Sequence, residues 1–139
     1  AVSQHVTMNI EDREQFFNEA FRVLKKGAIF GFSEHGLGTK GSPIFPLPWA
    51  DNEDMSFLKT PEYTKSLLKK IGFKNIEIIS TGEKYISGYN SLLKKGQSNE
   101  KPTLGIHVIG GDSMLERSKN SMRSIIENRT YPFEIICNR

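Results

Sequence analysis

The spacing of apolar residues divides the chain into alternating helices and strands. Phe16, Phe17, Ala20, Phe21 and Leu24 recur at helical intervals, with Glu14, Asn18, Arg22 and Lys25 on the opposite side. This predicts an amphipathic helix over 12–26. Asn9 or Asp12 can cap its start, and Asp12 with Gln15 resembles a capping box. Gly27 supplies a left-handed stop. The run Ala28-Ile29-Phe30-Gly31-Phe32-Ser33 then suits a short strand covered on both faces, as in a parallel sheet. Helix, glycine and buried strand in succession make an α/β unit.

Residues 35–60 show no useful period and carry Gly36, Gly38, Gly41, Pro43, Pro46 and Pro48. Ile44, Phe45, Leu47 and Trp49 make the stretch too apolar for plain disorder, so it reads as a lid or substrate loop. A second helix starts at Thr60-Pro61-Glu62, an N-cap followed by a proline suited to the first turn. Leu67, Leu68 and Ile71 form its apolar side, and Gly72 ends it. A strand follows at Ile76-Glu77-Ile78-Ile79. Residues 84–95 form a further helix, weakened by Gly88. Residues 96–103 read as a surface loop, and Leu104–Ile109 as either a strand or an apolar helical turn. Asp112 or Ser113 caps a helix to about Asn128, with Leu115, Met122, Ile125 and Ile126 inward. Phe133–Cys137, after Pro132, is the last strand. No repeat or domain boundary interrupts residues 1–139.

Composition narrows the class. The chain has 139 residues, is 37% hydrophobic and 25% charged, and suits one soluble domain with a real core. No apolar run approaches the roughly 18 residues of a membrane-spanning helix. Ala1–His5 lacks the pattern of a signal peptide and an initiator Met, a start expected of a fragment or of a chain from which a tag was removed. Cys137 is the single cysteine, so a reduced, cytoplasmic setting is the default, with Cys137 as a small core residue. The net charge is +3. The pairs Lys25-Lys26, Lys69-Lys70 and Lys94-Lys95 close predicted helices, where they offset the helix dipole. They are dispersed and lack interleaved aromatics, which argues against nucleic acid. There is no phosphate loop and no serine elbow. His5, His35 and His107 have no metal-ligand spacing. Gly110-Gly111-Asp112 reads as a turn and helix cap rather than a phosphate site.

In order, the elements resemble the second half of a class I methyltransferase, a family with a seven-stranded Rossmann-like sheet. Ser3 to Ile10, the helix, and Arg22-Val23-Leu24-Lys25-Lys26-Gly27 are similar to the passage through the family's RVLKPGG turn; Lys26 replaces its Pro and Ala28 its second Gly. Gly41-Ser42-Pro43-Ile44-Phe45-Pro46-Leu47-Pro48-Trp49-Ala50 resembles a PWA loop found in a subset of members. Thr60-Pro61-Glu62 through Gly72-Phe73 is similar to the helix before strand six. Leu104 to Gly110, Asn120 and the closing strand resemble the tails of the glycine, sarcosine and dimethylglycine methyltransferase-like group. The resemblance implies an α/β fold with strands five to seven, the last antiparallel and inserted between five and six. Ala1-Val2-Ser3 then is the end of strand four. The glycine-rich motif and the ribose-binding acid have no match, so residues 1–139 are expected to be a partial methyltransferase domain without its cofactor-binding N-terminal half. Strand five is expected to expose an edge that a homodimer or swapped dimer covers.

Methyl transfer is an in-line displacement, helped by orientation, by exclusion of water and by a base where the acceptor must lose a proton. Ligands of such sheets sit at the carboxyl ends of the strands, here Ser3-Gln4-His5 and Ser33-Glu34-His35. The resemblance puts Ser3 and Gln4 beside the methionine part of S-adenosylmethionine. His5 is the candidate acceptor contact or general base, against a role bonding the backbone in a turn. Glu34 and His35 line the acceptor pocket or a solvated loop. Trp49 closes over the substrate, with a cation–π contact for an amine, or packs its loop on the core. His107 reads as structural. The expected function is S-adenosylmethionine-dependent methyl transfer to a small-molecule acceptor by the full-length parent, with this chain inactive alone. An amine is favoured, and an oxygen or carbon acceptor stays open. The competing expectation is a non-catalytic methyltransferase-like interaction module. Neither membrane nor nucleic acid is expected as a partner.

Overall fold

The computed structural model describes residues 1–96, 111 and 113–139. The readings at Leu104–Ile109, His107, Gly110 and Asp112 lie outside the described residues. In chain order the elements are β1 (Val2–Gln4), α1 (Arg13–Val23), β2 (Ile29–Leu37), α2 (Pro61–Ile71), β3 (Lys74–Ser80), α3 (Gly82–Gly96), α4 (Met114–Ile126) and β4 (Thr130–Asn138). Short 3-10 turns occupy Thr7–Asn9 and Glu53–Met55.

The strands form one sheet in the order β1-β2-β4-β3. β1 runs parallel to β2, and β4 runs antiparallel to both β2 and β3. The last strand is thus antiparallel and inserted between the two before it, as expected. The edge differs from expectation. Val2, Ser3 and Gln4 pair with Gly31, Phe32 and Ser33, so β1 shields that stretch of β2. The outward edge there belongs to β1, whose Val2 is 77% exposed.

Local chemistry sets the helix ends. Asp12 accepts a 2.9 Å hydrogen bond from the Gln15 amide at the start of α1. Thr60 accepts one from the Tyr63 amide at 3.2 Å, ahead of Pro61. Gly72, at φ 117°, closes α2 in the left-handed region.

Period-two alternation divides the sheet into two faces. Phe30, Phe32 and Glu34 pair in register with Cys137, Ile135 and Phe133. Their side chains form one face, which Phe17 of α1 and Leu67 and Leu68 of α2 cover to make the core. Cys137 sits in this core, as expected, and burial pushes its thiol up to about 11. The other face carries Ile29, Gly31, Ser33 and His35. α3 and α4 cover it only in part: Ile29 and Ile136 stay 60% and 43% exposed.

β2 and β4 are longer than predicted. β2 continues to Leu37, so Ser33, Glu34 and His35 lie within it rather than after it. Gly36 and Gly38, which the sequence places in the aperiodic stretch 35–60, instead let the chain run close to its neighbours at the end of β2. A Cβ on Gly36 would sit 2.6 Å from the Phe133 ring, and one on Gly38 2.1 Å from the Asn128 carbonyl oxygen. Pro132 is tolerated inside β4 because β3 pairs only as far as Phe133. The Pro132 carbonyl accepts from the Thr81 amide at 3.0 Å just beyond that pair.

α4 is also turned differently. Leu115 and Ile126 are exposed, while Met114, Ser118, Ser121 and Ser124 are buried. The small serine face lets the helix approach α3 and the loop before α2. Ser121 Oγ lies 2.9 Å from Tyr89 Oη, and Ser124 Oγ accepts from the Ile44 amide at 3.0 Å. Polar contacts of this kind are invisible to a reading based on apolar periodicity. Among the described residues, no helix is long and apolar enough to cross a membrane.

Candidate functional site

At the carboxyl ends of the parallel strands β1 and β2 the chain forms an open cleft of about 930 Å³. β1 ends at Gln4, and the chain turns sharply at His5, which sits at φ 54°. This left-handed conformation is unusual for a residue with a side chain. The His5 amide still donates to the Ser33 carbonyl at 2.9 Å, extending the strand pairing by one bond. The turn throws the imidazole into the cleft.

His35 meets it from β2, on the sheet face opposite the core. The two imidazole centroids lie 5.8 Å apart. Trp49 stacks on His35 at 4.6 Å with the planes 30° apart, and Trp49 Nε1 donates to Ser56 Oγ at 3.1 Å. The loop before α2 is therefore folded over the end of β2. Tyr85 of α3 closes the group: its ring stands edge-on to His35 at 4.9 Å, and its hydroxyl lies 2.8 Å from His5 Nε2. Met8, Pro48, Lys84, Tyr89 and Leu92 complete the main walls.

The electrostatics follow from burial. Desolvation, reinforced by the neighbouring His5, lowers His35 to about 3. His35 is neutral at any physiological pH, and its Nδ1 is buried without a hydrogen-bond partner among the described residues. Burial also lowers His5, so its neutral form predominates near neutrality. Tyr85 is pushed up to about 12 by burial first, and then by Tyr89 and Glu134. A protonated phenol thus faces a neutral imidazole, which is the arrangement for hydrogen bonding from Tyr85 Oη to His5 Nε2.

Three of the residues singled out in the sequence, His5, His35 and Trp49, converge here. Glu34 does not. It points to the opposite face and is fully buried against Arg13, whose Nη1 donates to both carboxylate oxygens at 3.0 and 2.9 Å. The Thr7 hydroxyl also donates to Glu34. Arg13 Nη2 donates to the carbonyls of Thr7 and Phe57 at 3.2 and 3.0 Å. Burial pushes the Glu34 carboxyl up, against the pull of Arg13, Thr7 and Thr64. The expectation that Glu34 lines the acceptor pocket or a solvated loop is therefore corrected: it lies buried within β2 and anchors the turn behind His5. The signal was its parity with Phe30 and Phe32, which places it under α1.

Ser3 and Gln4 lie outside the cleft. They line a shallow pocket of about 170 Å³ with Gly31, Ser33, Glu134 and Ile136, on the partly covered face of the sheet. Tyr85 and Tyr89 escaped the sequence reading altogether. Among the described residues, no group of three or more His, Cys, Asp or Glu side chains is placed to hold a metal ion.

No protein-family profile matches the chain, and no curated protein sequence matches it. Solved structures do. Phosphoethanolamine N-methyltransferase 2 of Haemonchus contortus, bound to phosphomonomethylethanolamine and S-adenosylhomocysteine, superposes with a TM-score of 0.79 at 16% identity. The match covers 99% of this chain and 32% of that one. A sarcosine dimethylglycine methyltransferase-like protein from Galdieria sulphuraria gives 0.71 at 14% identity, over 99% of this chain and 51% of that one. Geranyl diphosphate C-methyltransferase from Streptomyces coelicolor A3(2) gives 0.67 at 13%, over 99% and 46%. The chain thus spans about a third of the length of the first, about half of the second and under half of the third. It has the fold of one part of a Rossmann-like methyltransferase. The antiparallel β4 between β2 and β3 agrees with the order expected of strands five to seven.

Proposed function

We propose that this chain is the acceptor-binding part of an S-adenosylmethionine-dependent methyltransferase whose acceptor is a small molecule, an amine first. The observation that carries the proposal is the convergence of His5, His35, Trp49 and Tyr85 at the carboxyl ends of β1 and β2. The shared fold supports it. The exposed Ile29 and Ile136 support it as well, since they mark a sheet face suited to cover by further structure.

Ser3 and Gln4 fit one flank of the cofactor: they are polar and stand at the end of a parallel strand. Their pocket, about 170 Å³, accommodates only a fraction of such a molecule, so its remaining contacts belong to other parts of the protein. When bound, S-adenosylmethionine supplies an electrophilic methyl group. The residues of this chain do the rest. The faces of Trp49 and Tyr85 attract an ammonium group, and the neutral His35 does not repel it. The amine must lose a proton to become nucleophilic. Tyr85 Oη accepts that proton as its own passes to His5 Nε2. The neutral state of His5 and the un-ionised state of Tyr85 fit those roles. Trp49 and its loop exclude water from the reacting atoms. A cytoplasmic setting goes with this reading.

The test is transfer of an isotope-labelled methyl group from S-adenosylmethionine to a panel of primary and secondary amines by the full-length protein. Labelled amine product is expected. Label passing only to oxygen or carbon acceptors would remove the amine, and no transfer to any acceptor would remove the reaction. The outward edge of β1 is proposed to pair with a second copy of the chain. Sedimentation of the 139-residue chain should then show a dimer, and a strict monomer contradicts the pairing.

A further inference from the structure

α3 forms one wall of the cleft through Lys84, Tyr85, Gly88, Tyr89 and Leu92. These positions recur at helical spacing and define a single face. Gly88 sits in the middle of that face. Its backbone is ordinary helix, and a Cβ built on it would meet nothing within 4 Å among the described residues. Contrast Gly36 and Gly38, where a Cβ would collide with neighbouring atoms. The fold therefore does not require glycine at 88. A helix-interior glycine is also unfavourable, by about 1 kcal/mol relative to alanine. The residue weakens its own helix and leaves space at the cleft wall.

The composition of the wall indicates what that space is for. Tyr85, Tyr89 and Leu92 flank the gap, and Met8, Pro48 and Trp49 contribute further apolar lining. Among the described residues, Lys84 is the one charged side chain at the cleft, and no carboxylate lines it. A compact zwitterionic amino acid would leave this apolar wall without a partner. We infer that Gly88 is a specificity-determining residue that admits the flat apolar body of the acceptor, an arylalkylamine-like molecule, whose ring lies against α3 between Tyr85 and Leu92. This inference rests on the acceptor cleft proposed above and adds the class of acceptor.

The experiment is calorimetric titration of the full-length protein with 2-phenylethylamine and with ethylamine, which differ by the ring alone. Wild type should bind the aryl compound at least about tenfold more tightly than ethylamine. Gly88→Leu should weaken the aryl compound about tenfold or more by filling the gap, and leave ethylamine nearly unchanged. Gly88→Ala should raise Tm by a few degrees, because only the helix responds to a lone methyl group. Equal binding of the two amines by wild type would overturn the inference. So would undiminished aryl binding by Gly88→Leu, or a lower Tm for Gly88→Ala. Binding is read without turnover, so the two proposals separate. Aryl binding without methyl transfer would sink the reaction alone, and methyl transfer confined to compact amines would sink the acceptor class alone.

Discussion

The Tyr85 hydroxyl lies 2.8 Å from His5 Nε2, joining two residues separated by 80 positions in the sequence. The contact ties the turn after β1 to α3 across the mouth of the cleft. Tyr85→Phe keeps the ring against His35 and removes only the hydroxyl. In the full-length protein, methyl transfer should fall by about a hundredfold or more, the scale of a lost general acid–base group. Thermal melts should show little change, because the hydroxyl sits at the cleft and not in the core. A Tyr85→Phe protein with unaltered kcat would take the proton relay away from this pair.

His35 makes stability sensitive to acid. Its pKa is about 3 when folded and near 6.5 in an exposed chain. Between these values the unfolded chain binds a proton that the folded chain refuses. The contribution is therefore complete above pH 6.5 and is lost as the pH falls towards 3. The slope should approach 1.4 kcal/mol per pH unit, roughly, for this one group. His5 acts in the same direction. Glu34, whose carboxyl is pushed up by burial from its ordinary value of 4.5, acts oppositely: its contribution is present below that value and is lost as the pH rises above it. Urea melts at about pH 7 and about pH 5 should show the loss in wild type and a much smaller one in His35→Phe. Equal slopes would mean that His35 is hydrated.

Arg13 and Glu34 form a buried ion pair that also engages Thr7 and Thr64. Removing one partner leaves the other charged and unpaired, which costs about 3–5 kcal/mol. Arg13→Met should unfold at markedly lower urea than wild type. Arg13→Met with Glu34→Leu should recover at least half of the loss, because no lone charge remains. The double variant should also alter the pH profile of methyl transfer, since Thr7 and the His5 turn lose their anchor. A double variant no more stable than Arg13→Met alone would show that packing, not charge, sets the cost.

The sheet order was legible because the first two helices carry start signals at Asp12 and Thr60 and the second a stop at Gly72, although α1 ends at Val23 with Leu24 already extended, three residues short of the stop expected at Gly27. Those signals fix the succession of elements, and the resemblance to a known sheet order does the rest. The glycines misled at Gly36 and Gly38, where the residue marks close strand approach rather than an aperiodic loop. The site was half legible. His5, His35 and Trp49 stand out as rare residue types beside strand ends or in a glycine- and proline-rich loop. Tyr85 does not, because nothing local tells a tyrosine on a cleft-facing helix from one on a core-facing helix. Glu34 lies beyond the apolar run that ends at Ser33, so the run alone does not place it in the strand. Once the strand extends, alternation alone carries it to the core face with Phe30 and Phe32.

The most direct test of the central claim is calorimetric titration of S-adenosylhomocysteine into the full-length protein and, in parallel, into this 139-residue chain. The account predicts tight binding to the full-length protein and none to the chain alone, since Ser3 and Gln4 offer only one flank of the cofactor site. Absence of binding to both would contradict it and favour a non-catalytic methyltransferase-like module, and the roles given to Ser3, Gln4 and His5 would fall with it.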